Sequence, residues 1–177
     1  MDSTDKLKSS TTTTGGHEQI RVRAAAAGDL PALAEVDQAV WTDGTTPIAM
    51  TAFERALLRQ RGLEDTFVAE RGGQVVGFVF VGRKGPHPAD RHVCRLRELA
   101  VAPSAARTGV GTALLAHAIA HARAGGFRKL TLSVLATNEA AVRLYERAGF
   151  AVEARLVEEF CLGGRYVDDL VLALRLT

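Results

Sequence analysis

No apolar run in this chain approaches the roughly 20 residues a helix needs to cross a bilayer, so no membrane partner is expected. Cysteine is nearly absent. Cys94 and Cys161 are the only two, and they lack the C-x-x-C spacing of a redox or zinc site. Both fall in strand-like runs and are expected to be buried free thiols in a reducing compartment, which points to the cytoplasm. Neither sign of charge dominates: 22 basic residues face 20 acidic ones, for a net +2. No basic stripe interleaves with aromatics, so nucleic acid is not expected as a partner. The Arg-rich stretch 91–97 alternates along a predicted strand and reads as a solvated strand face. His117 and His121 share a helix face, but the run HAIAH lacks the glutamate of a zinc-protease helix and no third ligand is readable. That pair is expected to sit on a solvated face, with no metal.

The 177 residues fit one globular domain preceded by a tail. Eight of residues 1–18 are Ser or Thr, and only Met1 and Leu7 are sizeable apolar side chains. Such a segment buries too little surface to offset its ordering entropy, so disorder is expected there and a domain over 19–177. Periodicity predicts strands at 19–23, 66–70, 74–81, 92–101, 130–135, 150–162 and 165–176. Helices are predicted at 30–41 with Asp29 as N-cap, from the Thr51–Glu54 capping box to Gly62, at 110–123 and at 139–148. The order defines an α+β domain: a mostly antiparallel mixed sheet of about seven strands flanked by about four helices.

The stretch 96–150 carries the chemistry. A strand runs into Arg107-Thr108-Gly109-Val110-Gly111, which opens an amphipathic helix. Glycines let a ligand approach the backbone, and the first-turn N–H groups and the helix dipole favour an anion there. A nucleotide P-loop needs Gly-Lys-Ser/Thr, which is absent; a dinucleotide fingerprint needs a third glycine where Leu114 stands. On the later helix, Asn138 and Tyr145 are two turns apart and share a face with the small Ala141 between them, an arrangement that suits a long thin molecule. Read singly, Asn138 could be only an N-cap and Tyr145 only core.

Taken together, V-x-P-x-x-x-R-x-G-x-G over 101–111 and N-x-x-A-x-x-L-Y-E-x-x-G-F over 138–150 resemble the GNAT superfamily of acyl-CoA-dependent N-acetyltransferases. The likeness extends over essentially Ile20–Leu176. It implies that Arg107, Thr108, Gly109, Val110, Gly111 and Thr112 hold the pyrophosphate of coenzyme A. It implies further that Leu99, Ala100 and Val101 pair with the pantetheine arm beside a bulge-splayed strand, that Asn138 and Ala141 contact the cofactor, and that Tyr145 lies near its sulfur. The family's usual Gln or Arg three residues before the first turn glycine is here Ala106, and the carboxylate often found earlier on the pairing strand is here Arg95.

The implied reaction is acyl transfer from acetyl-CoA to an amine of a small molecule or protein. An alkyl amine is neutral in only about one molecule in 2,500 at pH 7, so a proton acceptor is needed. Glu98 is the candidate base, with Asp168, Asp169, Glu158 and Glu159 as further acids. Val101 N–H is the candidate donor to the developing oxyanion, and Tyr145 the candidate acid for the departing thiolate. Trp41, Glu98 and Asp168 are the candidate acceptor-site residues. The apolar last strand (Val167, Leu170, Val171, Leu172) is compatible with a homodimer interface or with core. A non-catalytic acyl-CoA-binding module on the same fold is the alternative reading.

Overall fold

The computed structural model describes residues 19–40 and 63–176. The predicted tail, the predicted helix opening at Thr51 and the candidate acceptor residue Trp41 lie outside the described residues. The chain runs β1 (Arg21–Ala24), α1 (Leu30–Val40), β2 (Thr66–Arg71), β3 (Gln74–Arg83), β4 (Val93–Val101), α2 (Val110–Ala124), β5 (Lys129–Leu135), α3 (Glu139–Arg147), β6 (Ala151–Leu162) and β7 (Arg165–Arg175). The strands form one sheet in the order β1-β2-β3-β4-β5-β7-β6. Among the described strands, only β4 and β5 run parallel. The predicted mixed, mostly antiparallel sheet is therefore present, with three α-helices among the described residues.

Side-chain alternation sorts the sheet into two faces. Cys94 and Leu96 of β4, Leu130, Leu132 and Val134 of β5, and Leu172 of β7 pack against Leu114, Leu115 and Ala118 of α2 and Tyr145 of α3. Leu114, Leu115, Leu130, Leu132 and Leu172 are fully buried, and each contributes on the order of 1.5–3 kcal/mol of apolar transfer. The opposite face holds a smaller cluster in which Val36 of α1 meets Val68, Phe78 and Ala100. Gly77 of β3 lets α2 sit close: a Cβ there would lie 2.7 Å from the Ala100 carbonyl and 3.1 Å from Val110.

Arg23 ties the first strand to the rest. It makes a two-pronged contact with Asp29 (2.7 and 2.8 Å) and reaches Glu70 at 2.6 Å. Asp29 is not the helix N-cap expected of it. A 3-10 turn begins earlier, at Ala27, so Asp29 falls third in that turn and its carboxylate reaches back to accept the Ala26 N–H at 2.7 Å.

One other expectation changes because β6 stands at the end of the strand order and, among the described strands, pairs with β7 alone. Cys161 is exposed there, whereas Cys94 is buried, its thiol 3.2 Å from the Gly82 carbonyl and pushed up to about 11 by burial. Val167 and Leu172 are buried within this chain, while the exposed large apolar side chains are Val152, Leu156 and Val157 of β6 and Tyr166. The histidine pair is not simply solvated either. His117 and His121 are half-buried and lean on Phe67, ring centres 4.4 and 4.8 Å away, and burial lowers the His117 pKa. No helix among the described residues is long and apolar enough to cross a membrane.

Candidate active site

The site begins where two parallel strands part. β4 and β5 pair only at Val93–Lys129, Cys94–Leu130 and Arg95–Thr131. Beyond Arg95 the register of β4 against β3 slips: Val81 faces Leu96 and Phe80 faces Glu98, leaving Arg97 as the extra residue. A bulge of this kind bends and twists its strand, and a wedge opens between β4 and β5. The bulge also exchanges faces. Arg95 lies opposite the α2–α3 face before it, and Glu98, beside Phe80, lies on the α1 face after it.

Backbone polarity along the wedge follows from one hydrogen bond. The Ala102 N–H donates to the Val76 carbonyl across β3 at 2.9 Å. Backbone groups alternate sides in an antiparallel ladder, so the N–H and C=O of Val101 and Leu99 point away from β3, into the gap left by β5. No described strand pairs with these groups, and edge groups of this kind are what an extended ligand satisfies.

At the far end of β4 the chain enters the glycine turn. Arg107 and Gly109 both take left-handed backbone conformations, φ +59° and +93°. Gly109 pays no Cβ penalty there and stands at the N-cap of α2. The first helical hydrogen bond runs from Ala113 N–H to the Gly109 carbonyl at 2.9 Å, so the N–H groups of Val110, Gly111 and Thr112 have no helical partner. Three clustered donors beside a positive dipole end make an anion cradle. The exposed Arg107 adds a cation.

A second cation was not legible in the sequence. Arg71, at the end of β2, donates to Thr108 Oγ1 at 3.1 Å, and that hydroxyl donates to the Ala105 carbonyl at 2.7 Å. Arg71 thereby joins the turn beside Ala106, where the resemblance led one to expect a polar side chain. A cavity of about 440 Å³, lined by Ile20, Glu70, Gly72 and Gly73, opens next to this contact.

Tyr145 of α3 is 6% exposed, its ring 5.8 Å from that of Phe150. Its hydroxyl makes no hydrogen bond to a described residue, yet it is not among the polar atoms sealed from solvent. Burial pushes the phenol up to about 12, so it stays a proton donor throughout the physiological range. Asn138 caps α3: its side-chain oxygen accepts the Ala141 N–H at 3.2 Å. The helix is further braced by Glu139 and Arg143 at 2.9 Å.

The candidate acceptor-site residues divide. Glu98 is half-buried on the α1 face of the sheet. Asp168 is not brought to it. Alternation along β7 turns Asp168, with Leu170 and Leu172, toward the α2–α3 face. There its carboxylate binds Arg155 and accepts the Glu158 N–H at 2.8 Å. Those bonds pin a bulge in β6 at which Glu158 has φ +55°, and they hold the Asp168 carboxyl below its usual range. Asp168 is thus occupied structurally. Its neighbour Asp169 points to the opposite face and is 7% exposed.

These elements agree with what the chain resembles. A model of the acetyltransferase (GNAT) family matches residues 30–150. A mycothiol acetyltransferase of Paenarthrobacter aurescens is 37% identical over 106 residues, covering 54% of this chain and 32% of that protein. The match spans about a third of the length of such curated relatives. Among solved structures, an N-acetyltransferase of Staphylococcus aureus is 30% identical with a TM-score of 0.77, over 90% of this chain and 99% of its own. A Salmonella typhimurium acetyltransferase described with its cofactor acetyl-CoA is 25% identical with a TM-score of 0.80, over 90% and 95%. The chain belongs to the GNAT acetyltransferase family.

Proposed function

We propose that this protein transfers the acetyl group of acetyl-CoA to a primary amine of a small molecule or protein by direct attack on the thioester. What supports this reading is the parting of β4 from β5 beyond Arg95, the first-turn amides of α2 that have no helical partner, and the packing of Tyr145 in the same core cluster as Leu99 and Val101. A diphosphate fits the cradle: its donors have no helical partners, and Arg107 and Arg71 supply charge. Leu99 and Val101 offer unpaired backbone groups to an extended arm. Asn138 and Ala141 line the first turn of α3 on the side of Tyr145. The cofactor supplies an activated acyl carbonyl and a thiolate leaving group.

Within that arrangement the Val101 N–H, aimed into the wedge, donates to the developing oxyanion. Tyr145 holds its proton and gives it to the leaving sulfur. The wedge passes through the sheet, so the phenol works from the α2–α3 face while the acceptor amine arrives on the α1 face, beside Glu98. The relatives' acceptors do not carry over, because the match spans only about a third of those proteins. The exposed apolar side chains of β6 suit pairing with a second copy of the chain, which a native mass measurement tests.

The direct test measures thiol release from acetyl-CoA across an amine panel, with calorimetry of coenzyme A binding alongside. Turnover with at least one amine is expected. Tight binding with no turnover on any amine would favour a non-catalytic acyl-CoA-binding module, and absence of binding would remove both readings.

A further inference from the structure

Asp169 is a carboxyl group the fold has gone out of its way to bury. It lies on β7 beside Leu135 of β5 and Leu156 of β6, at 7% exposure. Its side chain accepts a hydrogen bond from the Ser133 hydroxyl. Ser133, on β5, also accepts one from Arg95 Nη2 at 3.1 Å. The positions matter more than the bonds. Arg95 is the last β4 residue paired with β5, so Ser133 stands just past the point where the strands part, exposed at the mouth of the wedge. Alternation puts Arg95, Ser133 and Asp169 on the α1 face, the one opposite Tyr145.

Resting on the acetyl-transfer reading above, we propose that Asp169 is the terminal acceptor of the amine's proton, with the Ser133 hydroxyl as the relay that touches the amine. The step balances. The acceptor ammonium gives one proton to Ser133 Oγ as the Ser133 hydroxyl proton passes to Asp169 Oδ. This leaves a neutral amine, an unchanged serine and a carboxylic acid that later releases its proton to water. The C–N bond then forms as the C–S bond breaks, the sulfur takes the proton of Tyr145, and the second proton shed by the nitrogen as it becomes an amide passes through water back to the Tyr145 phenolate.

The surroundings suit the task. Among the described residues, the charged groups facing Asp169 are Arg95 of β4 and Glu159 of β6, with Glu98 further along β4 on the same face. Burial first, and Glu159 second, raise its affinity for a proton, against the lowering by the Ser133 hydrogen bond and Arg95. A carboxylate whose affinity for a proton is raised by burial is a better proton acceptor than an exposed one. Buried Asp169 reaches no substrate by itself, whereas exposed Ser133 does, which is why the two act together.

The test compares wild type with Asp169→Asn, Asp169→Glu and Ser133→Ala, using acetyl-CoA and an amine that wild type acetylates. Asp169→Asn and Ser133→Ala are each expected to lower kcat at least about tenfold, with coenzyme A affinity by calorimetry unchanged. The acid limb of the kcat profile, where activity falls as pH drops through the raised Asp169 pKa, should vanish in Asp169→Asn and return in Asp169→Glu. Wild-type kcat with an intact acid limb in Asp169→Asn overturns the proposal while leaving acetyl transfer standing. So does a limb that is lost in Glu98→Gln and kept in Asp169→Asn. If wild type binds coenzyme A yet acetylates no amine, the functional reading fails and this proposal falls with it. Lost coenzyme A binding in Asp169→Asn assigns the residue to folding and overturns the proposal.

Discussion

Tyr145 combines a core ring with the hydroxyl proposed above as proton donor. The ring packs with Phe150 under α3, and the hydroxyl makes no hydrogen bond to a described residue. The burial that makes it good core also lifts its pKa to about 12 from the usual 10. A phenol in that state does not ionise below pH 10, so Tyr145 contributes no alkaline limb in the ordinary tyrosine range. Tyr145→Phe keeps the ring and removes the proton. The expected result is a fall in kcat of at least about tenfold with little change in the KM for acetyl-CoA, read from steady-state kinetics. Unchanged kcat would take the hydroxyl out of the mechanism. Residue-level reading of the sequence singled out Tyr145 as a site candidate from its spacing to Asn138. It named Asp169 only among several further acids, without Ser133, and did not find Arg71, because the contacts Arg71–Thr108 and Ser133–Asp169 join positions 37 and 36 residues apart.

At the scale of elements, the site is made by strands that stop pairing. The bulge opposite Phe80 turns Glu98 to the α1 face and frees the edge of β4. The sequence carries no glycine or proline between 93 and 101 to mark that bulge, so only the likeness to a family suggested it. The glycine turn is the opposite case: Arg107 through Gly111 announces its geometry locally, since left-handed backbone and unpaired amides follow from residues next to one another. The β2–β3 hairpin completes the turn from a distance. Arg71→Ala is expected to weaken coenzyme A binding about three- to tenfold, the worth of one exposed charge-assisted contact, with kcat at saturating cofactor preserved. Isothermal titration at two salt concentrations checks it, because the wild-type advantage should shrink as salt rises.

For the whole molecule, the Arg23–Asp29–Glu70 cluster joins β1, the start of α1 and β2. The Arg23 guanidinium, hydrogen-bonded to both Asp29 oxygens, lowers that carboxyl to about 2 against desolvation that raises it. A carboxylate whose folded pKa is depressed stabilises the fold above its unfolded pKa, about 4, and the contribution is lost as pH falls toward 2. Asp29→Asn is therefore expected to cost about 1–2 kcal/mol at pH 7, with the gap to wild type closing between pH 4 and 2, as measured by urea midpoints. A gap that stays constant with pH would assign the loss to packing instead.

What the sequence by itself determined were the features set by neighbours along the chain. Helical and strand periods, the glycine hairpins, the glycine turn at Arg107–Gly111 and the Asn138 cap depend on contacts within a turn or two, which local hydrogen bonding and side-chain shape dictate. What only the tertiary structure decided was which distant segments lie side by side. Insertion of β7 between β5 and β6 buries Asp169 behind Ser133, leaves Cys161 on a bare edge and turns Asp168 away from Glu98. Those outcomes rest on sheet order and register. Many residues of the strands settle these jointly by burying their apolar faces, and a slip of a single residue would reverse every side chain on a strand.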